Sequence, residues 1–368
     1  MEGFAGLSHL LEEGYESGVY TAAAALVGRE GELLWQGTVG RLSREAEAPP
    51  VTPDTVFDLA SLTKPLATAL AVLRLVEQGP LGLKTTLGEV LPAAWLPADK
   101  NGLTLTSLLA HRSGLPAWRP YYQDLLAAPP EERPSLPERL AAATPLEHPP
   151  DTVTLYSDLG FMLLKAVVEA ASGENLDDWC RRELYRPLGL QALGYRPLEH
   201  PGGRERRYAH TEPGLIPGRT GVGEVHDENA WAAGGVAGHA GLFGTGPQVF
   251  HLAAQLFRSY RGASGAPFPQ HLVRRFFTPV APGARALGFD VPGPDPDQRS
   301  MGRFFSEHTV GHLGFTGASL WMDLTTGLMV VLLTNRVHLG RDNDKIRPFR
   351  PRFHEAVCSA LGLGRVPR

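Results

Sequence analysis

The chain has 368 residues, 43% of them hydrophobic and 20% charged, enough for two domains or one large domain with an insertion around a substantial core. Its net charge of -4 and the lack of any lysine or arginine run exclude a surface that tracks a phosphate backbone, so no nucleic-acid partner is expected. No segment has the length or apolarity of a membrane span, and Cys180 and Cys358 stand far apart, as two ordinary thiols.

The N-terminal stretch is acidic and amphipathic, without the basic start and apolar core of a signal peptide, so a cytoplasmic location with no membrane partner is expected. "LSHLLEEG" reads as a short helix, followed by two β-like runs, "VYTAAAALVG" and "ELLWQGTVG", around the turn "REG". A long apolar helix then begins at Ser61 and stops at Gly79, and it carries Ser61 and Lys64 on one face, three residues apart. A serine hydroxyl becomes a nucleophile only when a neighbour takes its proton, and a lysine with a lowered pKa can do so. The same four letters also suit an N-cap followed by a solvated lysine, so they decide nothing alone.

Further along come helical pieces at "LTSLLAHRSGLP" and "YSDLGFMLLKAVVEAASG", the second ending at Gly173. Tyr156 and Asp158 precede its apolar run, placed either to cap and pack or to face a cleft. Residues 196–224 are crowded with Pro, Gly and Arg and read as loop; "PQVFHLAAQLF" returns to helix. His312 and several small residues open an apolar strand in "GHLGFTGASLW", two apolar runs surround a Thr-Thr-Gly turn at 318–335, and "RPFRPRFHEAVCSALG" closes the chain as an amphipathic helix. Strands at both chain ends predict an α+β fold. One antiparallel sheet is built from 1–85 and 285–368 and flanked by the first, Ser61 and last helices, with a mostly helical domain, 86–284, inserted between and the active site in the cleft.

Together, Ser61-Leu62-Thr63-Lys64, Tyr156-Ser157-Asp158 and His312-Leu313-Gly314 resemble the Ser-x-x-Lys, Tyr-x-Asn and Lys-Thr-Gly motifs of the serine β-lactamase and penicillin-binding protein superfamily, class C branch. "VHDENAWAAGGVAGHAGLFGT" resembles its D-alanyl-D-alanine carboxypeptidase-like subgroup. The resemblance implies a β-lactamase/transpeptidase-like fold and a serine hydrolase that forms an acyl-enzyme on Ser61. Lys64 and Tyr156 then shuttle the proton, the N–H groups of Ser61 and Phe315 form the oxyanion hole, and Asp158, His312 and Gly314 contact substrate. It implies a small ester, amide or short peptide substrate and neither metal nor organic cofactor. A true β-lactamase and a non-catalytic penicillin-binding or scaffold protein of the same fold are the alternatives, and the oligomeric state is undetermined.

Two positions depart from the pattern. Asp158 replaces the usual asparagine, adding negative charge beside Lys64; His312 replaces the usual lysine and at neutral pH is a weaker partner for a carboxylate. The second departure predicts a preference for uncharged short-chain esters over penicillins and cephalosporins, with activity on carboxylate substrates rising toward pH 6. Arg336 is the candidate to supply the missing charge. A zinc site at His308 and His312 lacks the intervening glutamate, and His226 and His239 are read as bonding backbone or lining the cleft. G-x-S-x-G is absent, and the glycines of "GLFGTG" lack dinucleotide-binding spacing.

Overall fold

A computed structural model describes residues 2–200, 202–214 and 216–364. Helix α1 (Glu2–Glu16) is followed by strands β1 (Ala22–Arg29) and β2 (Glu32–Gly40), the hairpin that the two β-like runs around "REG" predict. A short strand β3 (Val56–Asp58) leads to Ser61, and helix α2 (Ala69–Gln78) ends at Gly79, whose left-handed φ of 95° closes it. Helix α3 (Asp158–Ser172) carries the Tyr156 loop at its start. Strand β4 (Phe243–Thr245) feeds directly into helix α4 (Gly246–Arg261). The last third supplies β5 (Thr309–Leu313), β6 (Ser319–Asp323), β7 (Leu328–Thr334) and helix α5 (Ile346–Ala360).

The main sheet has the order β2-β1-β7-β6-β5, with every neighbouring pair antiparallel, so the two chain ends meet where β1 pairs with β7. Both faces of its centre are apolar. Ala23, Ala25 and Val27 of β1 join Val330 and Leu332 of β7 under α1 and α5, while Ala24, Leu26, Val331 and Leu333 face the larger core shared with α2, α3 and α4. A sheet apolar on two faces must be covered on two faces, which is why helices from opposite ends of the chain stack on one side.

Helix α4 falls within the stretch assigned above to the helical domain, yet it packs on β1 and β7. Gly28 allows this: a Cβ there would lie 2.3 Å from the ring of Phe250. The pairing of β3 with β4 forms a second, two-stranded sheet that no sequence pattern announces, since each strand has only three residues. The described residues of 196–224 hold brief 3-10 turns and one isolated bridge, Tyr208 to Val56, amid loop, as their composition predicts. Among the described residues no helix is long and apolar enough to cross a membrane.

Candidate active site

Ser61 does not cap a helix. It sits in a 3-10 turn, Ala60–Leu62, followed by a wider π turn, Lys64–Thr68, before α2 begins. Ala60, just before it, has a left-handed φ of 47°, a conformation that costs a non-glycine residue about 1–3 kcal/mol and persists only where surroundings hold it. The holding groups are buried. The Asp58 carboxylate accepts from Ala60 N–H at 2.8 Å and from His226 N–H at 2.6 Å, Thr63 Oγ1 donates to Ala60 O at 2.6 Å, and Thr316 Oγ1 donates to Asp58 O at 2.8 Å. Burial raises the Asp58 pKa, and these amide donors oppose it. The turn is thus tied at once to the 226 segment and to the β5–β6 hairpin.

Lys64 is fully buried beneath it. Its Nζ donates to Ser61 Oγ at 3.0 Å and to His239 O at 3.1 Å, and pairs with Asp158 Oδ1 at 2.7 Å. Tyr156 lies alongside, its ring centroid 4.7 Å from the ammonium and its hydroxyl beside both Ser61 and Lys64. Burial pulls the Lys64 pKa down, Asp158 and Tyr156 push it up, and the balance is upward. Burial raises the phenol of Tyr156, against the nearby ammonium. The resting site therefore holds a charged lysine and a neutral tyrosine.

Strand β5 brings the third motif. His312 is the fourth residue of this strand rather than its start, and Gly314 begins the loop that turns into β6. A Cβ on Gly314 would come within 2.7 Å of Leu59 O, so glycine lets the strand end press against the nucleophile turn. The backbone groups of Gly314 are committed, its N–H to Ala318 O at 2.7 Å and its carbonyl to Arg350 at 3.1 Å. The N–H of Phe315 donates to no acceptor among the described residues and lies in the same cleft as Ser61, while Ser61 N–H belongs to the unpaired first turn of its helix. The side chain of Phe315 is half exposed, stacked on His226 at 5.7 Å with the Arg336 guanidinium 4.6 Å from its ring centre. The cleft holds about 340 Å³.

All the sequence-predicted residues meet here, but the two departures act differently than their letters suggest. Asp158 is the direct ion-pair partner of Lys64, placed by a helix whose true cap is Ser157. His312 is 2% exposed; its Nδ1 is 2.7 Å from Leu313 O, and Nε2 makes no hydrogen bond among the described residues and lies 4.0 Å from Asp290 Oδ1. Burial first, then the charges of Lys64 and Arg285, drive its pKa well below 6.5. That direction opposes the expected rise with falling pH: a free imidazole value was assumed for a group that the fold desolvates beside Lys64 and Arg285, with the Asp290 carboxylate 4.0 Å from its Nε2. Arg336 is not a free charge either, since it donates to the carbonyls of Phe315, Arg341 and Asn343. The His308–His312 pair cannot share a metal, because four residues of extended chain separate them by about 13 Å.

Several site residues carried no motif. Arg285 sits 5.1 Å over the Tyr156 ring and pairs with Asp290. His111 accepts from Ser157 N–H at 2.9 Å and its carbonyl accepts from Leu155 N–H at 2.9 Å, which fixes the Tyr156 loop. Asp227 pairs with His239 at 3.0 Å. The metal-capable oxygens and nitrogens of Asp158, Asp227 and His239 lie within 4.8 Å of one another, and the Lys64 ammonium already rests against this group. His111 lies in "LTSLLAHRSGLP", read above as a helical piece, and Asp227 and His239 lie in "VHDENAWAAGGVAGHAGLFGT", read above as a subgroup resemblance.

The β-lactamase family profile matches residues 7–351. The chain belongs to the β-lactamase family. Within this superfamily of serine β-lactamases and penicillin-binding proteins, a Bacillus subtilis (strain 168) protein named N-acetylmuramyl-L-alanine amidase is 36% identical over 306 residues, covering 77% of this chain and 68% of that protein. An Escherichia coli (strain K12) protein named as a D-alanyl-D-alanine carboxypeptidase is 33% identical over 306 residues, 78% of this chain and 70% of that one. The crystal structure of SurE with D-Leu, 25% identical, superposes with a TM-score of 0.70 over 100% of this chain and 78% of its own. The chain is a serine hydrolase of this β-lactamase-like family, with its α+β fold.

Proposed function

We propose that this hydrolase cleaves amide or ester bonds at D-amino-acid residues through an acyl-enzyme on Ser61. The observation that carries the reading is the 3.0 Å contact between Ser61 Oγ and Lys64 Nζ with Tyr156 beside both. In this reading Lys64, after losing its resting proton to solvent, takes the Ser61 proton as Oγ attacks the carbonyl; Tyr156 gives its phenolic proton to the leaving group and regains one from Lys64, and water, deprotonated by the same pair, later releases the acyl group and returns a proton to Ser61. The N–H groups of Ser61 and Phe315 receive the developing oxyanion, a contribution of about 3–4 kcal/mol for each donor. Asp158 orients Lys64, and His312 offers a neutral acceptor to the substrate. The names of the two relatives and the D-leucine in SurE support the D-amino-acid class.

The same reading places the cleft between the sheet part, 1–85 and 285–368, and the helical part, 86–284. It places the protein in the cytoplasm, on the support of two buried free thiols, and fractionation with a tagged chain tests that. A fluorophosphonate or fluorescent penicillin should label Ser61, with labelling and turnover of D-alanyl esters or anilides lost by several orders of magnitude in Ser61→Ala at unchanged melting temperature. A wild-type protein that takes up neither reagent is a binding module, not a hydrolase.

A further inference from the structure

Arg350, on helix α5, is 6% exposed, yet no carboxylate among the described residues pairs with it. The charged groups beside it, Arg336 and Arg347, are cations like itself, and the nearby Asp344 carboxylate goes to those two. A buried charge without a counter-ion is costly, so the groups that receive it are informative. What receives it is the turn between β5 and β6. Nε donates to Gly317 O at 3.2 Å, and Nη2 donates to Gly314 O at 3.1 Å and to Ala318 O at 3.2 Å. The carbonyls between are taken as well: Phe315 O accepts from Arg336 Nε at 2.8 Å, and Thr316 O accepts from Thr334 Oγ1 at 3.0 Å. Every carbonyl from Gly314 to Ala318 thus accepts from a side chain, while the Phe315 N–H among them has no acceptor among the described residues.

The turn does not need Arg350 in order to close. Gly314 N–H donates to Ala318 O at 2.7 Å and Gly317 N–H donates to Gly314 O at 3.0 Å, so these two carbonyls already have a backbone partner, and Gly317 O alone depends on the arginine. What the far end of the guanidinium adds falls on the peptide unit that joins Gly314 to Phe315. In a planar trans peptide the carbonyl and the N–H point opposite ways. Arg350 draws the Gly314 carbonyl toward α5 and so turns the Phe315 N–H the other way, into the cleft that holds Ser61. A cation on the carbonyl oxygen also pulls electron density through the amide, which makes the N–H at its other end a stronger donor; hydrogen bonds in series polarise one another, and a charged donor does so more than a neutral one.

We propose that Arg350 is a positioning residue for the oxyanion donor: from behind the β5–β6 turn it aims and polarises the Gly314–Phe315 peptide unit. The proposal rests on the hydrolase reading above, and its test separates the two. Arg350→Gln is the variant to use. The glutamine amide nitrogen stands as many bonds from Cα as arginine Nε, so it keeps a donor for Gly317 O while the Nη2 bonds and the charge are lost. Its melting temperature should match or exceed that of the wild type, because an unpaired buried cation is gone. In single-turnover kinetics with a D-alanyl anilide its acylation rate should fall at least tenfold, short of the roughly 10²–10³ of losing a donor outright. Fluorescence anisotropy of a labelled D-alanyl peptide should show binding to Ser61→Ala changed by less than about threefold when Arg350→Gln is added, since the effect belongs to the developing oxyanion. An unchanged acylation rate, or a loss matched by equally weakened binding, overturns the proposal and leaves the hydrolase reading standing. The peptide unit is also read without chemistry. Glycine labelled with 13C at its carbonyl and phenylalanine labelled with 15N together mark the Gly-Phe pairs at 3–4, 160–161, 288–289 and 314–315. The 314–315 signal, assigned by its loss in Phe315→Tyr, should move upfield in both nuclei in Arg350→Gln while the other pairs stay in place. An unmoved signal overturns the proposal even if Ser61 proves unreactive. If Arg350→Gln does not fold, Arg350→Lys, whose ammonium ends one bond short of Nη2, carries both readouts; it should lose at least about threefold in acylation rate and show the upfield shift, and the absence of either overturns the proposal.

Discussion

Asp158→Asn replaces the departing residue by the one the superfamily pattern carries, and it perturbs the site through one distance. The Asp158 carboxylate lies 2.7 Å from the fully buried Lys64 ammonium. At an effective dielectric of about 20 the attraction is on the order of 6 kcal/mol, comparable to or larger than the several kcal/mol that desolvating an ammonium costs. That is why the Lys64 pKa rises although burial alone would lower it. Asparagine keeps the shape and removes the charge, so burial then dominates and the lysine sheds its proton more readily. If neutral Lys64 is the base, each 1.4 kcal/mol removed from its ammonium form multiplies the competent fraction about tenfold. The acid limb of the pH profile of kcat/KM should move to lower pH, with at least a tenfold gain near pH 7. Stability responds with a definite sign. In the wild type the raised pKa stabilises the fold below the unfolded lysine value of about 10.4, and this is lost as pH rises through the folded value. In the variant the lowered pKa costs stability as pH falls below about 10.4. The stability gap between the two proteins should therefore be wide at pH 7, narrow from about pH 10.4 and close only above the raised folded value in urea titrations. An unmoved acid limb would refute the account, and so would a loss of activity at every pH, which would make Asp158 a proton acceptor in its own right.

Tyr156→Phe and Lys64→Ala should each lower kcat/KM by orders of magnitude, and the double variant should be hardly worse than either, because both groups serve one proton path; additive losses in single-turnover kinetics would separate them. With His312 neutral across the range, the ratio of kcat/KM for a carboxylate substrate such as nitrocefin to that for p-nitrophenyl butyrate should stay flat between pH 6 and 8, within about twofold; a rise toward pH 6 would contradict its burial. His354 is buried, with Nδ1 3.2 Å from Ser300 O and a pKa pulled down to about 4. Because the unfolded chain binds that proton near pH 6.5 and the folded chain does not, stability falls with acidification through this window, and His354→Gln should reduce the loss between pH 7 and 5 by about 2 kcal/mol in urea unfolding.

The hairpin β1–β2, the strands flanking the Thr-Thr-Gly turn, the helices ending at Gly79 and Gly173 and the closing helix were legible because each rests on a local period or terminator. Ser61 and Lys64 were legible as a pair because three residues of any helical turn place them on one side, although the turn there is 3-10 and π rather than α. The loop character of 196–224 followed from its glycines and prolines. These features depend on neighbours within a few residues, so the order of letters determines them.

What only the tertiary structure decided is every property set by groups distant in the chain. The charge of Lys64 depends on Asp158, 94 positions away; the neutrality of His312 depends on burial and on Arg285 and Lys64; the three-residue strands β3 and β4 exist because they find each other. Arg285 and Asp290 come from a proline- and glycine-rich segment without period, and nothing in its letters says which strand edge it will border. A pKa and a cleft are sums over surroundings in three dimensions, and those surroundings form only when β1 and β7 close the sheet between the two ends of the chain.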